Sequence, residues 1–404
     1  MVLARRPARD ERERAGATEA GAWGFVAATW ALSRVLFLAT GALGAHLFAD
    51  AAHGGALPGP GGALGYWAHW DGAWYSAIAR FGYGGTAWPN SAAFFPLYPT
   101  VLRPEALLGI PAAIAGVTVS LAASLLALYF VYELTRSYFD EHAARAATLA
   151  LALFPTAFFL NAVYTEGLFL AAAVGAVWAA RVRENFVLAG VLGCFAAATR
   201  NVGVFLVFPL VHEWLRKRDE ARWSGLAIAL VPAGLLAYTF WLWRWSDHPL
   251  LFATVARKTW GRALVDPTKT LEGGWTSAGS GAHWAAHPEQ VFATASPNPA
   301  FDAMNTFNLA VLAVLVVALV GAAVRGPRSL MTYAIPAALL PVLTPPSVAP
   351  LAGIPRYCLA VFPAFVFLGT VLARRRVLLA LWLSVSAALG VMFTLFFTTW
   401  RWVA

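Results

Sequence analysis

The chain has 404 residues, 60% of them hydrophobic and only 12% charged, with a formal net charge of +9. Soluble globular domains carry about 25% charged residues, so this composition excludes a large soluble core and points to a chain that crosses a membrane many times. In such a chain an excess of basic residues reports on sidedness rather than on nucleic acid.

Residues 1–21 form an arginine-rich tail. The apolar run that follows, 22–48, exceeds the roughly 7–15 residues of a signal-peptide core and reads as a signal anchor. A long polar-aromatic connection, 49–105, includes a Gly/Ala/Pro stretch at 51–64. Apolar segments then follow at 106–132, 143–160, 164–181, 186–199, 202–215 and 224–243. A second long connection, 244–303, is rich in Trp, His and Pro, and the last segments are 304–324, 330–345, 356–373 and 377–400. Spans of about 20 apolar residues each would give about 11 crossings. The pair 186–199 and 202–215 is too short for two upright crossings, and reads as half-helices meeting inside the protein, where a break lines a cavity. No internal repeat is present. The expected architecture is one all-helical integral membrane domain over 1–404.

Basic residues cluster in the tail and at Arg136/Arg145, Arg181/Arg183, Arg216–Arg218/Arg222, Arg325/Arg328 and Arg374–Arg376. Placing these short connections in the cytoplasm puts the two long loops and the C-terminus outside. Cys194 and Cys358 both lie in apolar runs, so no disulfide framework is expected. Arg far outnumbers Lys and Ala is abundant, a composition typical of a GC-rich bacterial genome, which suggests a bacterial plasma membrane.

The segment His69–Gly85, HWDGAWYSAIARFGYGG, holds one carboxylate between two tryptophans. Other ionisable residues fall at the same expected face: Arg80, Glu166 in NAVYTEGLFL, Arg200 in AAATRNVG, Arg257, Lys258 and Arg262 in ARKTWGR, and Arg356 in GIPRY. Charges at membrane depth are costly and face cavities or partners. One shared site explains their convergence. Several cations suit a lipid-bound phosphate, with Arg giving bidentate contacts, and a carboxylate suits proton removal from an incoming hydroxyl. That set fits glycosyl transfer from a polyprenyl-phosphate sugar.

The blocks WDGAWYSAIARFGY and AAFFPLYPTVLR, then NAVYTEGLFL, AAATRNVG and PRYCLAVFPAF, resemble the PIG-V-like mannosyltransferases. The resemblance runs from about Trp67 to Phe365. It implies a GT-C-type bundle of transmembrane helices, a dolichyl- or polyprenyl-phosphate mannose donor, inversion at the sugar, and a functional acid in the first outer loop that maps onto Asp71. The eukaryotic acceptor, a glycosylphosphatidylinositol, does not carry over to a bacterial-looking chain. The chain has no Asp-x-Asp pair, so no metal ligands and no cofactor are expected beyond the donor itself, although a divalent ion stays open.

The expected roles are Asp71 as general base, Glu166 orienting the acceptor or a cation, and Arg200, Arg356, Lys258, Arg262, Tyr164 and Trp70 binding donor phosphate or substrate. Partners would be the polyprenyl- or dolichyl-phosphate sugar, a lipid- or protein-linked glycan acceptor, and membrane lipids, with no nucleic acid. Structural alternatives stand beside these roles. Asp71 and Glu166 could cap helices, Arg200 could snorkel, and Arg356 could anchor a helix end. Lys258 and Arg262 could simply be solvated, and the loop aromatics could be membrane anchors. His69 reads as structural or as a hydrogen-bonding neighbour of Asp71. Arg34, in mid-span, is either paired inside the bundle or near a lipid phosphate. Rival functions are transfer of arabinose, glucose or aminoarabinose, or transport of a lipid or solute.

Overall fold

The computed structural model describes residues 7–47, 62–84, 90–294 and 298–403. The start of the expected cytoplasmic tail, 1–6, and most of the Gly/Ala/Pro stretch, 51–61, lie outside the described residues. Every element among the described residues is helical.

Five helices are long and apolar enough to cross a membrane: Ala20–Leu47, Ala112–Tyr138, Arg218–Ser246, Asn298–Arg325 and Arg376–Thr398. A sixth crossing arises if Ile354–Ala360 and Phe362–Ala373, bent by 84°, count as one broken span. The chain is an integral membrane protein. The other segments expected to cross are shorter helices: Glu141–Ala152, Glu166–Arg181, Phe186–Thr199, Val207–Arg216 and Arg328–Leu343. At 1.5 Å per residue a 16-residue helix is about 24 Å long, against a hydrocarbon layer of roughly 30 Å. The segment expected at 143–160 leaves the helix at Leu153 and turns through Ala157–Leu160. Pro155 accounts for this, because the residue before a proline is pushed out of the helical region.

Local signals start several of these helices. The Asp140 carboxylate accepts the Ala143 N–H at 2.8 Å, and the Asn185 side chain accepts that of Leu188 at 2.9 Å, each meeting an otherwise orphaned donor. The expected break between 199 and 202 is present. Phe186–Thr199 stops at Arg200, whose backbone is extended (φ −153°, ψ 141°), and a 3-10 stretch, Asn201–Leu206, precedes Val207–Arg216. Phe186–Thr199 packs closely on the 218–246 span. A Cβ on Gly190 would collide with the Ala227 carbonyl oxygen, and one on Gly234 with that of Cys194. In a membrane such close backbone approach is a main source of helix association.

Glu166–Arg181 is the axis of the molecule, buried between Ala112–Tyr138 and Phe186–Thr199. Each of its ends carries a polar cluster. At the Arg181 end the buried Glu213 accepts from Tyr138 at 2.9 Å, Arg216 at 3.1 Å and Arg181 at 3.4 Å. The Glu166 end lies about 22 Å away by helical rise. Arg34 is paired inside the bundle: its guanidinium donates to Ala157 O and Asn161 Oδ1, both at 2.7 Å, and to Ala152 O at 2.8 Å.

Candidate active site

Four charged residues meet where helices begin, end or bend. Asp71 is the first residue of Asp71–Phe81, and Glu166 is the first of Glu166–Arg181. Both carboxylates therefore sit at the positive ends of helix dipoles. Neither serves as a cap: the N-cap positions belong to Trp70 and Thr165, and no side chain caps either helix. Arg200 occupies the extended break after Thr199, and Arg356 lies in the short helix before the 84° bend.

These residues form a chain of ion pairs. Arg356 Nη1 donates to Asp71 Oδ2 at 2.5 Å, and its Nε donates to Glu166 Oε1. Arg200 Nη1 donates to the same Glu166 oxygen at 2.6 Å. Glu166 is 1% exposed in its side chain and Arg356 8%, whereas Asp71 keeps 32%. The partly exposed carboxylate is thus Asp71, with Oδ2 held by Arg356. Glu166 lies behind the lining of the cavity and aims two guanidinium groups. Of the two roles expected for it, orienting a cation matches this geometry.

A cavity of about 460 Å³ opens beside the cluster, in the range of small-ligand sites. Asp71, Arg200, Arg262 and Arg356 line it, with Tyr75, Thr165, Trp260, Tyr357 and Trp402 among the other walls. Arg262 donates to the Tyr357 hydroxyl at 2.6 Å and to Thr344 O at 3.1 Å. Its guanidinium and that of Arg200 stand 5.4 and 5.5 Å from the Tyr357 ring centroid. Three guanidinium groups face this region against two carboxylates, so a net positive charge remains. Burial raises the Tyr75 phenol pKa, with the Asp71 charge adding to the shift, so Tyr75 stays a neutral hydrogen-bond donor.

The backbone before Asp71 is strained. Trp70 has φ 54° and ψ −120°, a region that costs a non-glycine residue about 1–3 kcal/mol. Tyr164 holds the strained turn: its hydroxyl donates to His69 O at 3.1 Å and accepts the Asp71 N–H at 3.2 Å. Tyr164 is buried, with the Arg356 guanidinium 4.6 Å from its ring centroid. Tyr164 and Trp70, expected to bind donor or substrate, lie outside the cavity lining, in and beside the turn that leads into Asp71. Lys258 is exposed and also outside the lining. His69 is structural: its Nδ1 lies 3.0 Å from Phe397 O and its ring stacks on Trp400 at 3.9 Å. Burial lowers its pKa to about 4, so the ring is neutral and Nδ1 donates. The sequence reading missed Tyr75, Thr165, Tyr357 and Trp402. Tyr357 is adjacent to Arg356 inside the PRYCLAVFPAF block, a signal that could have found it.

With this geometry in hand, comparison with known proteins bears out the resemblance read from the motifs. Residues 61–223 match the mannosyltransferase (PIG-V) family model. The PIG-V match includes Asp71, Glu166 and Arg200, while Arg262, Arg356 and Trp402 lie beyond it. GPI mannosyltransferase 2 of Drosophila pseudoobscura pseudoobscura is 31% identical over 202 residues, covering 44% of each chain. The chain thus aligns with less than half the length of this curated relative. Among solved structures, ArnT from Cupriavidus metallidurans bound to undecaprenyl phosphate is 17% identical, with a TM-score of 0.37 over 89% of this chain and 77% of that one. The apo Archaeoglobus fulgidus oligosaccharyltransferase is 12% identical, with a TM-score of 0.38 over 91% of this chain and 56% of that one.

Proposed function

We propose that the chain is a GT-C-type glycosyltransferase that moves a sugar, mannose by the PIG-V match, from a polyprenyl-phosphate donor to an acceptor hydroxyl at the extracytoplasmic face. Asp71 Oδ1 takes the proton of the acceptor hydroxyl. The acceptor oxygen attacks the anomeric carbon from the face opposite the phosphate. The C1–O bond to phosphate breaks, its electron pair leaves on the polyprenyl phosphate, and the configuration inverts. A phosphate is a weak base, so no strong general acid is required. Arg200 and Arg262, both against the Tyr357 ring, hold the departing phosphate. Arg356 ties Asp71 to Glu166 and fixes the spacing between base and phosphate site. Lys258, exposed and off the cavity wall, takes no part in holding the phosphate.

The observation that carries the reading is the ion-paired chain Asp71–Arg356–Glu166–Arg200 beside one cavity. The test is Asp71→Asn in membranes supplied with radiolabelled polyprenyl-phosphate mannose. Loss of a positioned general base removes on the order of 10²–10⁴ in rate, so transfer falls at least a hundredfold while donor binding persists. Near-normal transfer by this variant would overturn the assignment.

A further inference from the structure

Connections between helices usually run over a protein's surface, because buried irregular backbone needs a partner for every polar group. The connection from Glu141–Ala152 to Glu166–Arg181 does the opposite: every residue from Phe154 to Thr165 is buried. Neighbouring elements meet its polar groups. Arg34, on the first span, donates to Ala157 O and Asn161 Oδ1, and Asn161 Nδ2 donates back to Arg34 O at 3.4 Å. Among the described residues no carboxylate pairs with Arg34, so its guanidinium serves this backbone rather than a counter-ion. Ser120 donates to Ala162 O at 2.7 Å, and the Val163 N–H donates to Trp67 O at 3.0 Å. Thr156 is fully buried, and its hydroxyl donates to Pro355 O at 2.7 Å.

The same segment reaches three of the four charged residues. Its Tyr164 binds the turn into Asp71, and Glu166 follows it directly in the chain. The Arg356 guanidinium lies 5.4 Å from the Phe159 ring centroid as well as 4.6 Å from that of Tyr164. Thr156 holds the carbonyl of the residue just before Arg356. We propose that segment 153–165 is a buried template that sets the spacing of the reaction centre, and that Thr156 is a positioning residue for transfer, acting through Arg356. The proposal rests on the transferase reading and extends it to a residue outside the cavity lining. Ile354–Ala360 is too short a helix to be fixed by its own hydrogen bonds, and the 84° bend parts it from the span that follows. The Thr156 bond sets the level at which Arg356 meets Asp71 and Glu166. Misplacement by about 1 Å in such an array can cost about 10²-fold in rate.

The test is Thr156→Val in the full chain, which keeps the side chain's shape and removes its O–H. In membranes supplied with radiolabelled polyprenyl-phosphate mannose, the maximal rate per folded molecule should fall about tenfold. The donor KM should stay unchanged, because Arg200 and Arg262 still hold the phosphate; that split marks an interaction felt in the transition state. Thr156→Ser, which keeps the hydroxyl, should restore most of the rate. Combined with Arg356→Lys, Thr156→Val should add little further loss, since residues that act through one contact are non-additive. Three results each end the proposal: a wild-type rate per folded molecule in Thr156→Val, no rescue by Thr156→Ser, or fully additive losses in the double variant. Should wild-type protein transfer no sugar, the transferase reading fails, and the same cycle is read on melting temperature in detergent. Non-additive shifts then keep the template, and additive shifts remove it.

Discussion

Arg356 holds two carboxylates with one planar group, Asp71 through Nη1 and Glu166 through Nε. A lysine ammonium carries the same charge but not the fixed fork. Arg356→Lys should therefore lose transfer by about tenfold or more, with a smaller loss of thermal stability in detergent. Equal transfer per folded molecule would reduce Arg356 to a structural ion pair. Arg356→Ala should be far harsher, because it strands the Glu166 carboxylate in the interior; removing one partner of a buried pair costs about 3–5 kcal/mol. Nearby, His69 sets a pH response. Its folded pKa is depressed from 6.5 to about 4 by burial, so the unfolded chain takes up the proton first as pH falls. The contribution is complete above pH 6.5 and is lost as pH drops towards 4, to a limit of about 3 kcal/mol. Thermal melts between pH 7 and pH 4 should show this slope, and His69→Asn should flatten it. An unchanged slope in the variant would remove His69 as its source.

Between elements, the position of Arg200 depends on how Phe186–Thr199 packs. Gly190→Val would drive a side chain into the Ala227 carbonyl, so the helix must shift and carry Arg200 with it. The expected result is a lower melting temperature together with a raised donor KM; a wild-type donor KM would uncouple the helix contact from the phosphate site. The break at Arg200 was legible because two apolar segments were each too short to cross. The bend at Val361 was not, although Pro363 stands just inside the second helix. Proline is at home in a first helical turn and is also tolerated inside membrane helices, so an unbroken apolar run over 356–373 conceals the corner. The same asymmetry holds for the site. Asp71, Glu166, Arg200 and Arg356 stood out because ionisable groups are rare in such a chain. Trp402 did not, because the sequence contains 18 tryptophans and nothing local separates a cavity wall from a membrane anchor. Long-range packing by Arg401, which donates to Val291 O and Phe292 O, makes that distinction.

Across the whole molecule, the Glu166–Arg181 helix separates two polar clusters of different character. One adjoins the cavity. The other gathers Tyr138, Arg181, Glu213 and Arg216 at the ends of helices whose connections are rich in arginine. Short basic connections favour the cytoplasm, which would put the cavity and the second loop outside, where a lipid-phosphate sugar would be presented to its acceptor. Helix Pro267–Ala286 of that loop approaches the cavity wall near Leu351, which a Cβ on Gly274 would strike. Trp275 on the same helix is 73% exposed, and the Asp219 side chain near the opposite cluster is 97% exposed. In a background with Cys194→Ser and Cys358→Ser, a membrane-impermeant maleimide should label Trp275→Cys in intact spheroplasts. Asp219→Cys should react only once the membrane is opened. The reverse pattern would put the cavity in the cytoplasm, and both substrates would then have to reach Asp71 from the inner leaflet.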